Sequence, residues 1–233
     1  MNVAITAVIF DNHGLLHRQI VPGTNKELRE IVTEELQRLG IVKTVAQVDG
    51  ELEGTVNYFH GKGNYESPFH EYFAGLGIAD AAGLARRLVG SIVREQMPGA
   101  SDCLAKLKNA GLTLAILSDT RTEPEKTYEH LTEIGLKEFF EPKQVITSST
   151  IGYVKPDPCA YQAALTAVNV NKGEAVFIGH SNDELRGAKD YGLWTIGVPF
   201  LAEVRPENTH TIVPTIREVP KLVLEDRAWM KLA

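Results

Sequence analysis

Apolar positions along the chain fall into short continuous runs separated by stretches with helical spacing. Val3–Phe10 is a β-rich run that stops at Asp11, Leu112–Leu117 stops at Ser118, and Ala175–Ile178 stops at Gly179. Gln144–Thr147 and Trp194–Val198, the latter following a turn at Gly192, are two more. None alternates cleanly between apolar and polar, as expected of strands buried on both faces of a parallel sheet. Helical patterns lie between them. Ser101–Asn109 has Gly111 just beyond it as a stop, and a segment opened by Pro124 runs to about Ile134, where Gly135 ends it. Pro158–Asn169 and Asp183–Tyr191 supply two more. Strand alternating with helix predicts right-handed crossovers and an α/β fold with a doubly wound, Rossmann-like parallel sheet. Ligands of such sheets bind outside the carboxyl ends of the strands. Asp11, Ser118, the loop around Lys155 and the pair Gly179-His180 are therefore expected to converge at one edge.

One stretch breaks the alternation. From about His17 to Met97 the pattern predicts helices and no strand: Asn25–Leu39, Val45–Phe59 and Ala81–Gln96. Thr24 followed by Glu27 reads as a capping box for the first of these. Pro22-Gly23 and Pro98-Gly99 mark the places where the chain leaves and returns. The expected organisation is a core domain of residues 1–16 and 98–233, with a helical cap of residues 17–97 inserted after the first strand as a lid. The Gly-rich, aromatic loop His60–Tyr65, continuing to Phe69 and His70, is the part of the cap expected to face the site.

Composition narrows the class. The chain has 233 residues with a formal net charge of −6, which argues against a nucleic-acid-binding domain. Its two cysteines, Cys103 and Cys159, cannot make a disulfide framework and fit a reducing, cytoplasmic compartment. No apolar run is long enough to span a bilayer, and the apolar start lacks the basic flank and cleavage site of a signal peptide. Nothing in the sequence sets an oligomeric state.

Four motifs then fall in order. They are Val-Ile-Phe-Asp11-Asn-His13-Gly14-Leu-Leu, Ala-Ile-Leu-Ser118, Gly152-Tyr-Val-Lys155-Pro-Asp157-Pro, and Ile-Gly179-His180-Ser-Asn-Asp183-Glu184. Together with the insertion after the first strand, they resemble the haloacid dehalogenase-like hydrolase superfamily, in its phosphatase-like branch with a helical cap. Two positions depart from that family: its second acid in the first motif is His13 here, and the acid after Gly179 is His180.

The resemblance implies that Asp11 is a nucleophile forming a covalent aspartyl intermediate. Ser118 and Lys155 would hold the oxygens of the transferred group, with Lys155 also neutralising Asp11. In family phosphatases the position of His13 protonates the leaving group and later deprotonates water. An imidazole near its ordinary pKa of about 6.5 can do both near neutrality. The other reading of His13 is a ring that bonds the turn backbone. The family implies Mg²⁺, held here by Asp11, the carbonyl of His13, and Glu184 or Asp183. By register with Gly187-Ala188, Glu184 matches the family's second acid and Asp183 lies one residue early. His180 is a poor Mg²⁺ ligand. Three readings stay open: Mg²⁺, a site drawn toward Mn²⁺ or Zn²⁺ by His13 and His180, or no metal. Within the cap, Lys62 between two glycines is the candidate substrate contact.

The leading expectation is a hydrolase of a small phosphorylated substrate, with neither a nucleic-acid nor a membrane partner. The alternatives are a non-catalytic relative that binds a ligand through the same shell, and metal-free dehalogenase-type hydrolysis using Ser181-Asn182.

Overall fold

Along the first strand, Val8 and Phe10 belong to one buried cluster while Ala7 and Ile9 belong to another. The two-residue period of a strand sends neighbouring side chains to opposite faces, so a strand apolar at every position must be covered on both sides. A computed structural model describes residues 4–59, 67–90, 92–225 and 230. Its strands are β1 (Ala7–Phe10), β2 (His17–Val21), β3 (Lys26–Glu27), β4 (Val93–Gln96), β5 (Thr113–Ser118), β6 (Val145–Thr147), β7 (Ala175–Gly179), β8 (Trp194–Gly197) and β9 (Thr211–Ile212). Six of them form one sheet in the order β6-β5-β1-β7-β8-β9, with every pair parallel.

The same alternation runs through β5, with Leu114 and Ile116 on one face and Ala115 and Leu117 on the other. One face is covered by Cys103, Leu104 and Leu107 of the helix Ala100–Asn109, by Leu131, and by Val219 and Val223. The other is covered by Ala160, Tyr161, Ala164 and Leu165 of the helix Pro158–Val168, and by Leu185 and Ala188. The sheet is thus doubly wound, as the alternation of runs predicts. The helices start and stop where local chemistry says they should. Pro124 and Pro158 open two of them, where a missing N–H costs nothing. Asn169 ends Pro158–Val168 in the left-handed conformation at φ 54°.

The chain divides into two compact units, Met1–His17 with Gln96–Ala233, and Arg18–Glu95. Met97 N–H donates to Leu16 O at 2.9 Å, so the inserted segment leaves and rejoins the larger unit at adjacent points of the backbone.

The inserted segment differs from its sequence-based expectation in four ways. It carries a small sheet, β3-β2-β4, where no strand is expected. These strands are short and polar (His-Arg-Gln-Ile-Val and Val-Arg-Glu-Gln), so no apolar run betrays them. Because Lys26-Glu27 pairs with β2, the first helix starts later, at Leu28–Arg38, and its capping box is Glu27 with Glu30 rather than Thr24 with Glu27. The helix expected over 81–96 ends at Val89, and its last residues become β4. Finally, Phe69 and His70 lie in a helix, Pro68–Gly75, capped by Ser67, rather than in a loop. Leu28, Val32 and Leu36 form one stripe and pack with Val48, Leu52, Phe69, Phe73 and Leu84 in a core of their own. Beside that core, Arg29 pairs with Glu27 at 3.4 Å and Asp49 at 3.1 Å. Among the described residues, no helix is long and apolar enough to cross a membrane.

Candidate active site

The parallel register sets the site. Phe10 lies opposite Ile116 on one side and Ile178 on the other, so one step further along each strand brings Asp11, Leu117 and Gly179 level. Asp11 N–H donates to Ile178 O at 2.9 Å, extending the ladder to the carboxyl end of β1. Ser118, the last residue of β5, is buried at the same edge.

Lys155 is the longest side chain brought here, and it is only 1% exposed. Its backbone N–H donates to the Asp119 carboxylate at 3.1 and 3.2 Å. From that anchor its ammonium group donates to Asp11 Oδ1 at 2.5 Å and to Leu117 O at 3.1 Å, and lies 3.1 Å from Glu184 Oε2. A buried charge needs partners in every direction. Here two carboxylates and a strand-end carbonyl supply them. Glu184 reaches the group because its helix, Asn182–Tyr191, packs closely on the loop after Lys155. A Cβ on Gly187 would sit 2.4 Å from Pro156 Cβ, so only glycine allows that approach. Tyr161 OH fastens the same turn by donating to Glu184 O at 2.7 Å.

On its other side Asp11 meets a ring: His180 Nε2 lies 3.2 Å from Asp11 Oδ2. An ionised carboxylate only accepts, so Nε2 carries the proton in this contact. Burial pushes the Asp11 carboxyl up, but the Lys155 charge and the His180 hydrogen bond outweigh it and hold the group well below the usual carboxylate range. Burial likewise pushes Lys155 down, and the charges of Asp11, Glu184 and Asp119 override it, holding the ammonium form well above its ordinary range. The centre is therefore an ionised carboxylate and a cationic lysine over the pH range where the protein would work.

The turn after β1 is closed on itself. Asn12 O accepts from Leu16 N–H and His17 N–H, and Asn12 Oδ1 lies 3.1 Å from His17 Nδ1. The ring of His13 packs edge-on against His17 and Phe200, at centroid distances of 5.6 and 5.5 Å.

Of the residues singled out in the sequence, Asp11, Lys155, Glu184 and His180 thus meet directly, and Ser118 ends the neighbouring strand. Asp183 does not join them: its side chain is 71% exposed and pairs with Arg186 at 2.7 Å. Helical geometry explains the choice, since adjacent residues on a helix point about 100° apart. Lys62 and the loop His60–Tyr65 lie outside the described residues. Asn182 is occupied elsewhere, donating to Glu203 O and accepting from Arg205 N–H and Asn208 Nδ2. Sequence reasoning missed Asp119 and Phe200. An acid directly after a strand-terminating serine is the signal for Asp119; Phe200 carries no local signal.

A hard divalent ion wants several oxygen donors at about 2.0–2.1 Å with near-octahedral freedom. Around Asp11 both carboxylate oxygens are contacted by nitrogens, Glu184 faces Lys155, and Asp183 is turned to Arg186. This donor set does not fit Mg²⁺.

The family model described as haloacid dehalogenase-like hydrolase matches residues 84–198, a span that excludes Asp11. The chain is 32% identical over 131 residues to glyceraldehyde 3-phosphate phosphatase of Pyrococcus furiosus, covering 55% of this chain and 53% of that protein. It is 31% identical over 153 residues to phosphoserine phosphatase of Thermus thermophilus, covering 62% of this chain and 59% of that protein. The matches therefore span little more than half the length of these relatives. In fold it is similar to the crystal structure of a dehalogenase, with a TM-score of 0.69 and 20% identity over 95% of this chain and 98% of that one.

Proposed function

We propose, for a chain that belongs to the haloacid dehalogenase-like superfamily, that Asp11 is the nucleophile of a hydrolase acting on small phosphate esters. The observation that carries this reading is the pairing of Asp11 with the buried Lys155 at the end of β1. A carboxylate kept ionised beside a fixed ammonium group is ready to attack phosphorus, and the ammonium group attracts the phosphoryl oxygens to the same place. In the first step an Asp11 oxygen bonds to phosphorus and the ester oxygen leaves with a proton. In the second, water attacks the phosphorus of the aspartyl phosphate, inorganic phosphate departs and Asp11 is restored. Lys155 and Ser118 hold the phosphoryl oxygens, and His13 carries the proton to the leaving oxygen and takes one from water. Short phosphorylated metabolites, of the kind for which the related phosphatases are named, are the substrates of choice. The inserted unit serves as the cap that selects among them.

The test is hydrolysis of an aryl phosphate and a panel of short phosphorylated metabolites by the wild-type chain, D11N and H13A. The reading expects turnover that vanishes in D11N and falls about 10²–10⁴-fold in H13A. Equal turnover in D11N would sink it.

A second reading is favoured by one observation: both oxygens of Asp11 already have nitrogen partners. A chain that only binds a phosphorylated ligand would keep Lys155 and Ser118 while leaving Asp11 as a structural counter-charge. Binding of the panel without turnover is its signature.

A further inference from the structure

Asp11 is bracketed by nitrogen. Lys155 Nζ takes Oδ1 and His180 Nε2 takes Oδ2. The second contact is built into the fold rather than incidental. The ring is 7% exposed and packs edge-on against Phe200 at 5.6 Å. It also presses on the turn after β1 at the one residue with no side chain: a Cβ on Gly14 would lie 2.8 Å from Nε2 and 2.9 Å from Cδ2. Gly14 has φ 77°, the conformation in which glycine is at ease and other residues are strained. The turn's shape and its bare residue therefore both serve the position of this ring. The neighbouring acid that could have supplied another oxygen, Asp183, is held by Arg186 in solvent.

We infer that His180 occupies the place on Asp11 Oδ2 where a divalent cation would otherwise balance the carboxylate, so that this site receives its anionic ligand without a metal. The inference rests on the reading of Asp11 as the centre of the site but does not require turnover. A cation about 2.0–2.1 Å from Oδ2 in the direction of Nε2 would fall within the hydrogen bond itself. To admit it, the ring would have to leave the slot formed by Gly14 and Phe200. With the ring in place, the nitrogens of Lys155 and His180 supply the positive side of the site.

The experiment is titration calorimetry at neutral pH on wild type, H180D and H180N. Mg²⁺, Mn²⁺ and Zn²⁺ are the first probes, followed by inorganic phosphate with and without chelator. Wild type is expected to bind phosphate equally with and without chelator and to show no site for the three cations. H180D replaces a donor by a carboxylate and is expected to gain Mg²⁺ affinity at least about tenfold. Its chelator-insensitive phosphate binding should fall about tenfold or more, because a second carboxylate beside Asp11 repels the anion. H180N adds no carboxylate and should not gain Mg²⁺, and thermal melts of both variants control for folding. Cation binding by wild type, lost or weakened in H180D, would overturn the inference by making His180 a ligand. So would phosphate binding that collapses with chelator, or no phosphate binding at all. Metal-independent phosphate binding by a protein with no turnover would instead remove the hydrolase reading and leave this one standing.

Discussion

Gly14 and His180 fit together like a socket and its ring: the imidazole reaches Asp11 across space that exists only because residue 14 lacks a Cβ. The relationship converts a short turn after a buried strand into the wall of a charged site. It also predicts a sensitive position. Gly14→Ala puts a methyl group 2.6 Å from the Phe200 ring and 2.8 Å from His180, at a φ of 77°. Backbone strain and overpacking together should cost roughly 2–4 kcal/mol. A thermal melt is expected to show a fall in Tm of about 5–15 °C for a chain of this size. An unchanged melt would mean the ring is not seated against the turn.

Lys155 offers the strongest stability test. Its side chain is fully buried and stands between Asp11 and Glu184. Lys155→Met keeps the shape but strands two carboxylates without their cation, and breaking a buried pair in this way costs about 3–5 kcal/mol. Urea denaturation at neutral pH should show a loss of that order. The loss should shrink in Lys155→Met/Asp11→Asn, because one orphaned charge is then gone. A double variant no more stable than the single one would contradict the pairing.

At the far edge of the large sheet, His210 Nδ1 accepts from Thr195 N–H at 3.1 Å and lies 2.8 Å from Thr195 Oγ1. Burial, helped by the nearby charge of Lys189, holds this imidazole below its ordinary value of 6.5. A folded pKa below the unfolded one means stability is present above 6.5 and lost as pH falls through the folded value. The urea midpoint should therefore drop on acidification below neutrality, and the drop should be smaller in His210→Gln. Identical pH profiles for the two proteins would show that His210 does not carry the effect.

Much of this was legible in the sequence, for reasons visible in particular residues. Ala7–Phe10 and Ala175–Gly179 are apolar at every position because both of their faces are covered, and that makes continuous runs easy to see. Parallel pairing then fixes which ends meet, so Asp11, Ser118, Lys155 and His180 could be assembled from spacing alone. Polar edge strands carry no such mark: His17–Val21 has a single buried residue and reads as loop or helix. The helix Pro68–Gly75 had its signals, Ser67 before Pro68 and the spacing of Phe69, Tyr72 and Phe73, but the aromatic and glycine-rich stretch before it drew it into a loop. The choice between Asp183 and Glu184 turned on a helical phase that sequence register suggests and side-chain direction decides. Phe200 could not have been found, since its role comes from a loop folding back over Gly14 and His180.

The central claim is that Asp11 forms a covalent bond to phosphorus, and the most direct measurement is mass spectrometry of the acid-quenched protein during turnover of a phosphate ester. The account predicts a phosphoryl adduct on the peptide that contains Asp11, absent in D11N and discharged when the substrate is exhausted. Steady turnover with no adduct, and with D11N as active as the wild type, would contradict it.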